Sequence, residues 1–204
     1  TLSPDYYFPG PGVQVQKALE IPEIGALDIR NQCSGFIYAI SVADKFIKTG
    51  TYKNILVIGS ENHSGGLDKT TRGRGVTVIF GDGAGAVLFE PNEEGLGLQD
   101  EYLRSDGIGR QFLKIDAGGS ILPASEETVK NKQHYVYQDG KSVFKFAVSN
   151  MVNVSALIMV RNNLTKDDVQ WLAPHQANKR IIDATANRMG VEADKVLINI
   201  DRYG

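Results

Sequence analysis

Two stretches of this chain share one layout, and that layout limits the possible folds more than any other feature. Ala26-Leu-Asp-Ile-Arg has strand character, Cys33 follows at a turn, and a helical stripe runs from Phe36 to Thr49. Gly50 stops the stripe, and a short apolar run begins at Asn54. The order recurs as Val169-Gln-Trp-Leu-Ala, His175, a helical pattern over Asn178 to Met189, Gly190, and a strand-like run from Val196 to Ile200. Cys33 to Asn54 and His175 to Val196 span the same separation, 21 residues. Apolar side chains at helical spacing mark the helices, and short apolar runs bounded by turn residues mark the strands. The two stretches are unlike in sequence, so the match is architectural. It predicts an α/β fold of two related halves. Each half presents one reactive side chain at the carboxyl end of a strand, where ligands gather in such sheets.

Other elements fit around this frame. Val13 to Leu19 reads as a short helix, Asn54 to Ser60 as a buried strand, and Val76 to Phe80 and Ala84 to Phe89 as two further strands. Val143 to Val160 carries a long helical pattern, and Thr165-Lys-Asp-Asp has the form of an N-cap offering its hydroxyl to backbone N–H groups. Pro91 to Gly97 has linker composition, which divides the chain into residues 1–92 and 93–204. The run Gly81-Asp-Gly-Ala-Gly85 lacks the spacing and the following helix of a dinucleotide-binding loop. It reads as a tight turn, with a glycine in the strand that lets another backbone approach.

Charge and cysteine content exclude several function classes. Acidic side chains number 24 and basic ones 22, so no global field draws the chain to nucleic acid or a membrane, and any basic docking surface is local. With 42% hydrophobic residues the chain can bury a sizeable core, and no apolar run is read as approaching the roughly 20 residues that span a bilayer. One cysteine excludes an internal disulfide and fits a reducing, cytoplasmic setting. The first residues have no secretory signal, and both ends read as cut.

Cys33 has two readings. One is an inert packed thiol; the other is a nucleophile whose thiolate is favoured by the N–H groups and dipole of the helix start. Those same N–H groups can stabilise the oxyanion formed when a thiolate attacks a thioester. His175 is either a loop histidine satisfied by backbone or a donor to developing negative charge. His63 and His134 stand at no such turn, and no metal-ligand spacing is present.

Taken in order, Gln32-Cys-Ser-Gly-Phe36, Arg72-Gly73, Phe80-Gly-Asp-Gly-Ala-Gly-Ala, Pro174-His-Gln-Ala-Asn178 and Leu197-Ile-Asn-Ile-Asp-Arg-Tyr-Gly204 resemble β-ketoacyl-acyl-carrier-protein synthase III. The resemblance runs from about residue 5 to residue 204. It implies a layered α-β-α-β-α thiolase fold of two pseudo-symmetric halves, incomplete here. It also implies an acyltransferase of fatty-acid initiation that needs no cofactor and uses acyl-coenzyme A and malonyl-acyl carrier protein as substrates. Cys33 would carry the acyl group, and His175 would hydrogen-bond the enolate-like oxygen formed on decarboxylation. Arg72 would contact the coenzyme A nucleotide and Asn178 would line the pantetheine tunnel; a solvated loop charge and an ordinary helix cap are the plainer readings of these two. The segment Gln176, Ala177, Asn178, Lys179 and Arg180, with Lys145 and Arg188, would meet acidic acyl carrier protein. A homodimer is implied as well. In the family an asparagine that shares the work of the histidine follows the Asp-Arg-x-Gly turn, one position beyond Gly204, so the chain alone is expected not to complete condensation. Gln32 stands where housekeeping members have a small residue. This leaves open a specialised acyltransferase of secondary metabolism, and a non-catalytic partner subunit is the reading from another class.

Overall fold

A computed structural model describes residues 1–203, and Gly204, the last residue of the Asp-Arg-x-Gly motif, lies outside the described residues. The described chain forms two compact units. One comprises Thr1–His63 and Asp82–Glu101; the other comprises Ser64–Gly81 and the chain from Tyr102 onward. Packing therefore divides the chain at different points from the 1–92 and 93–204 division, because the loop after His63 folds with the later residues.

In the first unit, helix α1 covers Pro11–Ala18. Pro11 occupies a first-turn position, where its missing N–H costs nothing. Asp28, sixteen residues away, accepts the Gly12 N–H at 2.9 Å and so satisfies one open donor of that turn. Helix α2, Gly35–Lys48, follows a tight turn over Gln32–Ser34. Its buried face contains Ala43 together with Ser41 and Asp44. Burial opposes ionisation of Asp44, but hydrogen bonds from Lys48 and Lys45 outweigh it and hold the carboxyl below its usual range. Lys45 also reaches Glu101 at 2.6 Å.

Strands β1, Ile55–Glu61, and β2, Gly83–Phe89, pair antiparallel in register from Ile55–Phe89 to Glu61–Gly83. Helix α2 packs on β1. The backbone approach expected at the Gly81–Gly85 run is not found, since open space lies beside Gly83 and Gly85, whereas at Gly59 a Cβ would stand 3.3 Å from the Phe36 ring.

Several local expectations are corrected in this unit. Ala26 to Arg30 joins no ladder among the described residues. Strand β1 is only partly buried: Val57 is enclosed, whereas Leu56 and Ile58 are exposed, because β2 is the sole ladder partner of β1 among the described residues.

In the second unit, Val76 to Phe80 is not a strand. Arg74–Thr77 forms a short helix, α3, in which the Val76 and Thr77 N–H groups both bond the Gly73 carbonyl. The Thr77 hydroxyl donates to the Asp68 carbonyl at 2.8 Å. These local bonds satisfy the groups that a ladder would have used, against the β-propensity of the sequence. Strands β3, Leu113–Lys114, and β4, Tyr137–Gln138, form a small antiparallel pair, and helix α4 spans Glu126–Lys130 between them.

Helix α5, Gly140–Arg161, begins at an Asp139 cap and packs against helix α6, Lys179–Met189. With 22 residues and a mean hydropathy of 1.7 over its most apolar window, α5 has the length and composition of a bilayer-crossing helix, contrary to the expectation that no segment would. Ile181, Ile182, Thr185 and Ala186 are the buried face of α6. Gly50 after α2 and Gly190 after α6 both take left-handed backbone, which suits glycine at a helix end.

Thr165 forms the expected cap, a reciprocal box in which its side chain meets the Asp168 backbone N–H. Its hydroxyl donates to the Asp168 carboxylate at 2.7 Å, and its N–H donates to the same oxygen at 2.8 Å. Val169 to Ala173 and Val196 to Ile200 reduce to one parallel bridge, Leu172 to Val196, and Ile200 opens a four-residue helix, α7, ending at Tyr203.

Candidate active site

Cys33 lies in the middle of the Gln32–Ser34 turn, immediately ahead of α2. At the start of the turn Gln32 takes φ 40°, a left-handed conformation uncommon for a residue with a side chain. The residue is exposed, yet the surroundings of its sulfur are crowded. This crowding pushes the thiol above its usual range, its own backbone N–H partly offsets it, and the negative charge of Glu61 adds to it. The direction is opposite to the one expected of a helix-start thiolate, because desolvation outweighs the Cys33 backbone N–H. Glu61 is itself held by the Leu2 N–H at 2.9 Å and the Ser3 hydroxyl at 2.9 Å.

In the second unit, His175 sits in the loop ahead of α6. It too is exposed as a residue, while crowding around its imidazole lowers its pKa and favours the neutral ring. A neutral imidazole can donate one N–H without carrying a charge. Asn178 caps α6 by accepting the Arg180 N–H at 2.9 Å. Gln176 turns inward to its own chain: its amide nitrogen donates to the carbonyls of Pro174 at 3.0 Å and Leu197 at 2.9 Å.

The basic residues divide into neighbours and outliers. Lys179 pairs with Asp183 at 2.8 Å, and the Arg180 guanidinium lies 5.5 Å from the Phe144 ring centre on α5, next to Lys145 in sequence. Arg188 is eight residues beyond Arg180, roughly 12 Å along the helix at its standard rise. Ala177 is half-buried between Gln176 and the cap.

Arg72 is anchored. Its Nε donates to Asp68 at 2.6 Å, and its guanidinium lies 5.9 Å from the Tyr135 ring centre. Asp68 also accepts the Thr70 hydroxyl at 2.7 Å and the Thr70 N–H at 3.1 Å. The Thr70 hydroxyl first, and Arg72 next, lower the Asp68 carboxyl to about 2. Sequence reasoning missed this anchor, although an Asp and an Arg four residues apart were its visible signal. His134 is bound to the Thr128 hydroxyl at 2.8 Å, a structural placement as expected.

Two sequence profiles of one family cover most of these residues. The profile of 3-oxoacyl-[acyl-carrier-protein] synthase III matches residues 27–107, and its C-terminal profile matches residues 159–204. The chain belongs to the 3-oxoacyl-[acyl-carrier-protein] synthase III family. Relatives named as such include one from Chlorobium luteolum, 49% identical with all of this chain and 62% of the relative covered. One from Porphyromonas gingivalis is 49% identical, with all of this chain and 60% of the relative covered. The crystal structure of the synthase III from Aquifex aeolicus superposes with a TM-score of 0.86 at 35% identity, covering 100% of this chain and 60% of that one. The chain thus spans about 60% of the length of the relatives it matches. The incomplete thiolase-type α/β fold expected from the sequence is borne out by this superposition. Cys33 and Arg72 fall in the first matched region of the synthase III family, and His175 to Arg188 fall in the second.

Proposed function

We propose that the protein containing this chain is a 3-oxoacyl-[acyl-carrier-protein] synthase III that starts fatty-acid synthesis. The observation that carries the reading is the position of Cys33 within the matched family region, in the turn that feeds a 14-residue helix. In this mechanism the Cys33 sulfur attacks the thioester carbonyl of acyl-coenzyme A. A carbon–sulfur bond forms at Cys33, the bond to the coenzyme A sulfur breaks, and the proton lost by Cys33 ends on that sulfur. Backbone N–H groups at the start of α2 stabilise the oxyanion. Malonyl-acyl carrier protein then loses CO₂, and the electron pair of the broken carbon–carbon bond becomes an enolate. His175 hydrogen-bonds the enolate oxygen as a neutral imidazole, in keeping with its lowered pKa. The enolate carbon attacks the acyl-Cys33 carbonyl, and the Cys33 sulfur leaves as a thiolate that takes a proton from water to restore the thiol.

Arg72, held through its Nε, offers its terminal N–H groups to the coenzyme A nucleotide. Asn178 combines its observed cap with a place along the pantetheine. Lys179, Arg180, Lys145 and Arg188 steer acidic acyl carrier protein, an effect on encounter more than on affinity, and Gln176 and Ala177 stand in the same segment without supplying charge. Residues 1–92 and 93–204 represent the two thiolase halves, the enzyme is cytoplasmic, and it works as a homodimer without a cofactor.

The deciding experiment incubates the full-length protein with a panel of short acyl-coenzyme A thioesters and maps the adduct by mass. Acyl mass on Cys33, followed by a β-ketoacyl product on adding malonyl-acyl carrier protein, is the expected result. No adduct with any member of the panel overturns the reading. A monomer by sedimentation at micromolar concentration overturns the dimer.

A further inference from the structure

The parallel pairing beside His175 stops at a residue that cannot continue it. Leu172 donates its N–H to the Lys195 carbonyl at 2.9 Å, and its carbonyl accepts the Leu197 N–H at 2.9 Å. In a parallel ladder the next rung belongs to the residue two further on. That residue is Pro174, which has no N–H to give to the Leu197 carbonyl. The Gln176 carboxamide stands in that rung. Its Nε2 donates to the Leu197 carbonyl at 2.9 Å, the bond that Pro174 cannot make, and to the Pro174 carbonyl at 3.0 Å. Its Oε1 accepts the Asn199 N–H at 2.9 Å and the Ile200 N–H at 3.2 Å. A primary amide has two N–H donors and two acceptor lone pairs, and all four are engaged.

We propose that Gln176 is a positioning residue for His175: its side chain replaces the backbone rung lost at Pro174 and fixes the His175 loop on the Leu197–Ile200 segment. His175 lies between the two residues so fastened, so the clamp restrains the backbone on either side of the imidazole. Every group on the Gln176 amide is occupied within its own chain, which favours this role over contact with acyl carrier protein. The kinetic part of the inference rests on the proposed synthase function; the structural part does not.

The test uses the full-length protein with Gln176→Met, which keeps the length of the side chain and removes its hydrogen bonds. Amide exchange at Asn199 and Ile200 is expected to rise about three- to tenfold, the weight of one ordinary hydrogen bond. The Leu197 amide, bonded to Leu172, serves as the control and stays protected. Condensation kcat is expected to fall about 10- to 100-fold, the scale of a misplaced catalytic group, with the KM for malonyl-acyl carrier protein within about twofold of wild type. Adding Pro174→Ala supplies an N–H for the Leu197 carbonyl, so that the ladder can extend and the carbonyl of residue 174 can accept the Asn199 N–H, and is expected to recover protection at Asn199. Gln176→Glu provides a second reading should the methionine variant not fold: it keeps an acceptor for Asn199 and Ile200 but puts a carboxylate against two carbonyls, so those amides stay protected while kcat falls. Unchanged exchange in Gln176→Met, or no recovery with Pro174→Ala, overturns the proposal. A raised, salt-dependent KM at unchanged kcat overturns it in favour of carrier contact. If the wild-type protein performs no condensation, the proposed function fails, and the exchange data still decide the rung.

Discussion

The turn bearing Cys33 and the turn bearing His175 both feed a helix, yet different forces hold them. Around His175 the fastening is polar and lies ahead of the helix. Asn178 caps α6, Gln176 bridges to Leu197–Ile200, and Leu172 pairs with the segment at Val196. Around Cys33, Ser34 at the cap position of α2 makes no side-chain cap bond among the described residues. There the fastening is apolar and follows the turn, with the Phe36 ring packed on Gly59 of β1. A general acid or hydrogen-bond donor needs its orientation fixed, which directional bonds do well. On the proposed mechanism a nucleophile needs a backbone turn at a helix start, and packing supplies that.

The contrast can be broken most severely at the chemistry. Cys33→Ala in the full-length protein is expected to lower acyl transfer on the order of 10⁴-fold or more, as for other removed nucleophiles. His175→Ala is expected to lower condensation by about 10²- to 10⁴-fold while Cys33 still becomes acylated. Single-turnover acylation followed by product assay separates the two, and loss of acylation in the histidine variant would break the division of labour.

The next effect is on stability. Gly59→Val pushes a branched side chain towards Phe36, where overpacking costs about 1–3 kcal/mol, read as a shift in the urea midpoint. A stability equal to wild type would show that packing does not hold the Cys33 turn. Smaller still is the difference between caps. Asn178→Ala is expected to cost about 1 kcal/mol, whereas Ser34→Ala, which removes no hydrogen bond, stays within about 0.5 kcal/mol.

The finest distinction lies in pH. The Cys33 thiol is raised, so its rate of alkylation by iodoacetamide should reach half-maximum on the alkaline side of an ordinary thiol. Its contribution to stability is complete below the ordinary thiol value and is lost as pH rises through the raised one. His175 runs in the opposite direction. Its imidazole should titrate by NMR below the ordinary histidine value, and its contribution is present above that value and lost as pH falls through the lowered one.

Much of this was legible in the sequence, for reasons that differ by element. The helices α2, α5 and α6 were readable because apolar spacing over 11 to 22 residues leaves few alternatives, and Gly50 and Gly190 marked two of their ends. The strands were less so. Val76 to Phe80 has β-branched residues, but its flanking glycines and the Thr77 bond to Asp68 favoured a helical turn. Val196 to Ile200 looked like a full strand because its apolar run does not reveal where pairing ends; Pro174, on the partner segment, decides that. The direction of the Cys33 shift was misread because sequence shows a helix start and does not show how tightly the sulfur is crowded. Gln176 and Asp68 were hidden for a related reason. A polar side chain turned inward looks the same in sequence as one turned to solvent.

The Asp68–Arg72 pair also governs how an anion would find this loop. A carboxylate held ionised down to about 2 and a permanent guanidinium sum to zero net charge, so the pair casts almost no field beyond its own dimensions. The long-range attraction for an incoming phosphate would fall instead to Lys69 and Arg74, exposed on either side of Arg72 in sequence, and would weaken with salt. Arg72 itself would contribute shape at contact, through a fork already held at its Nε.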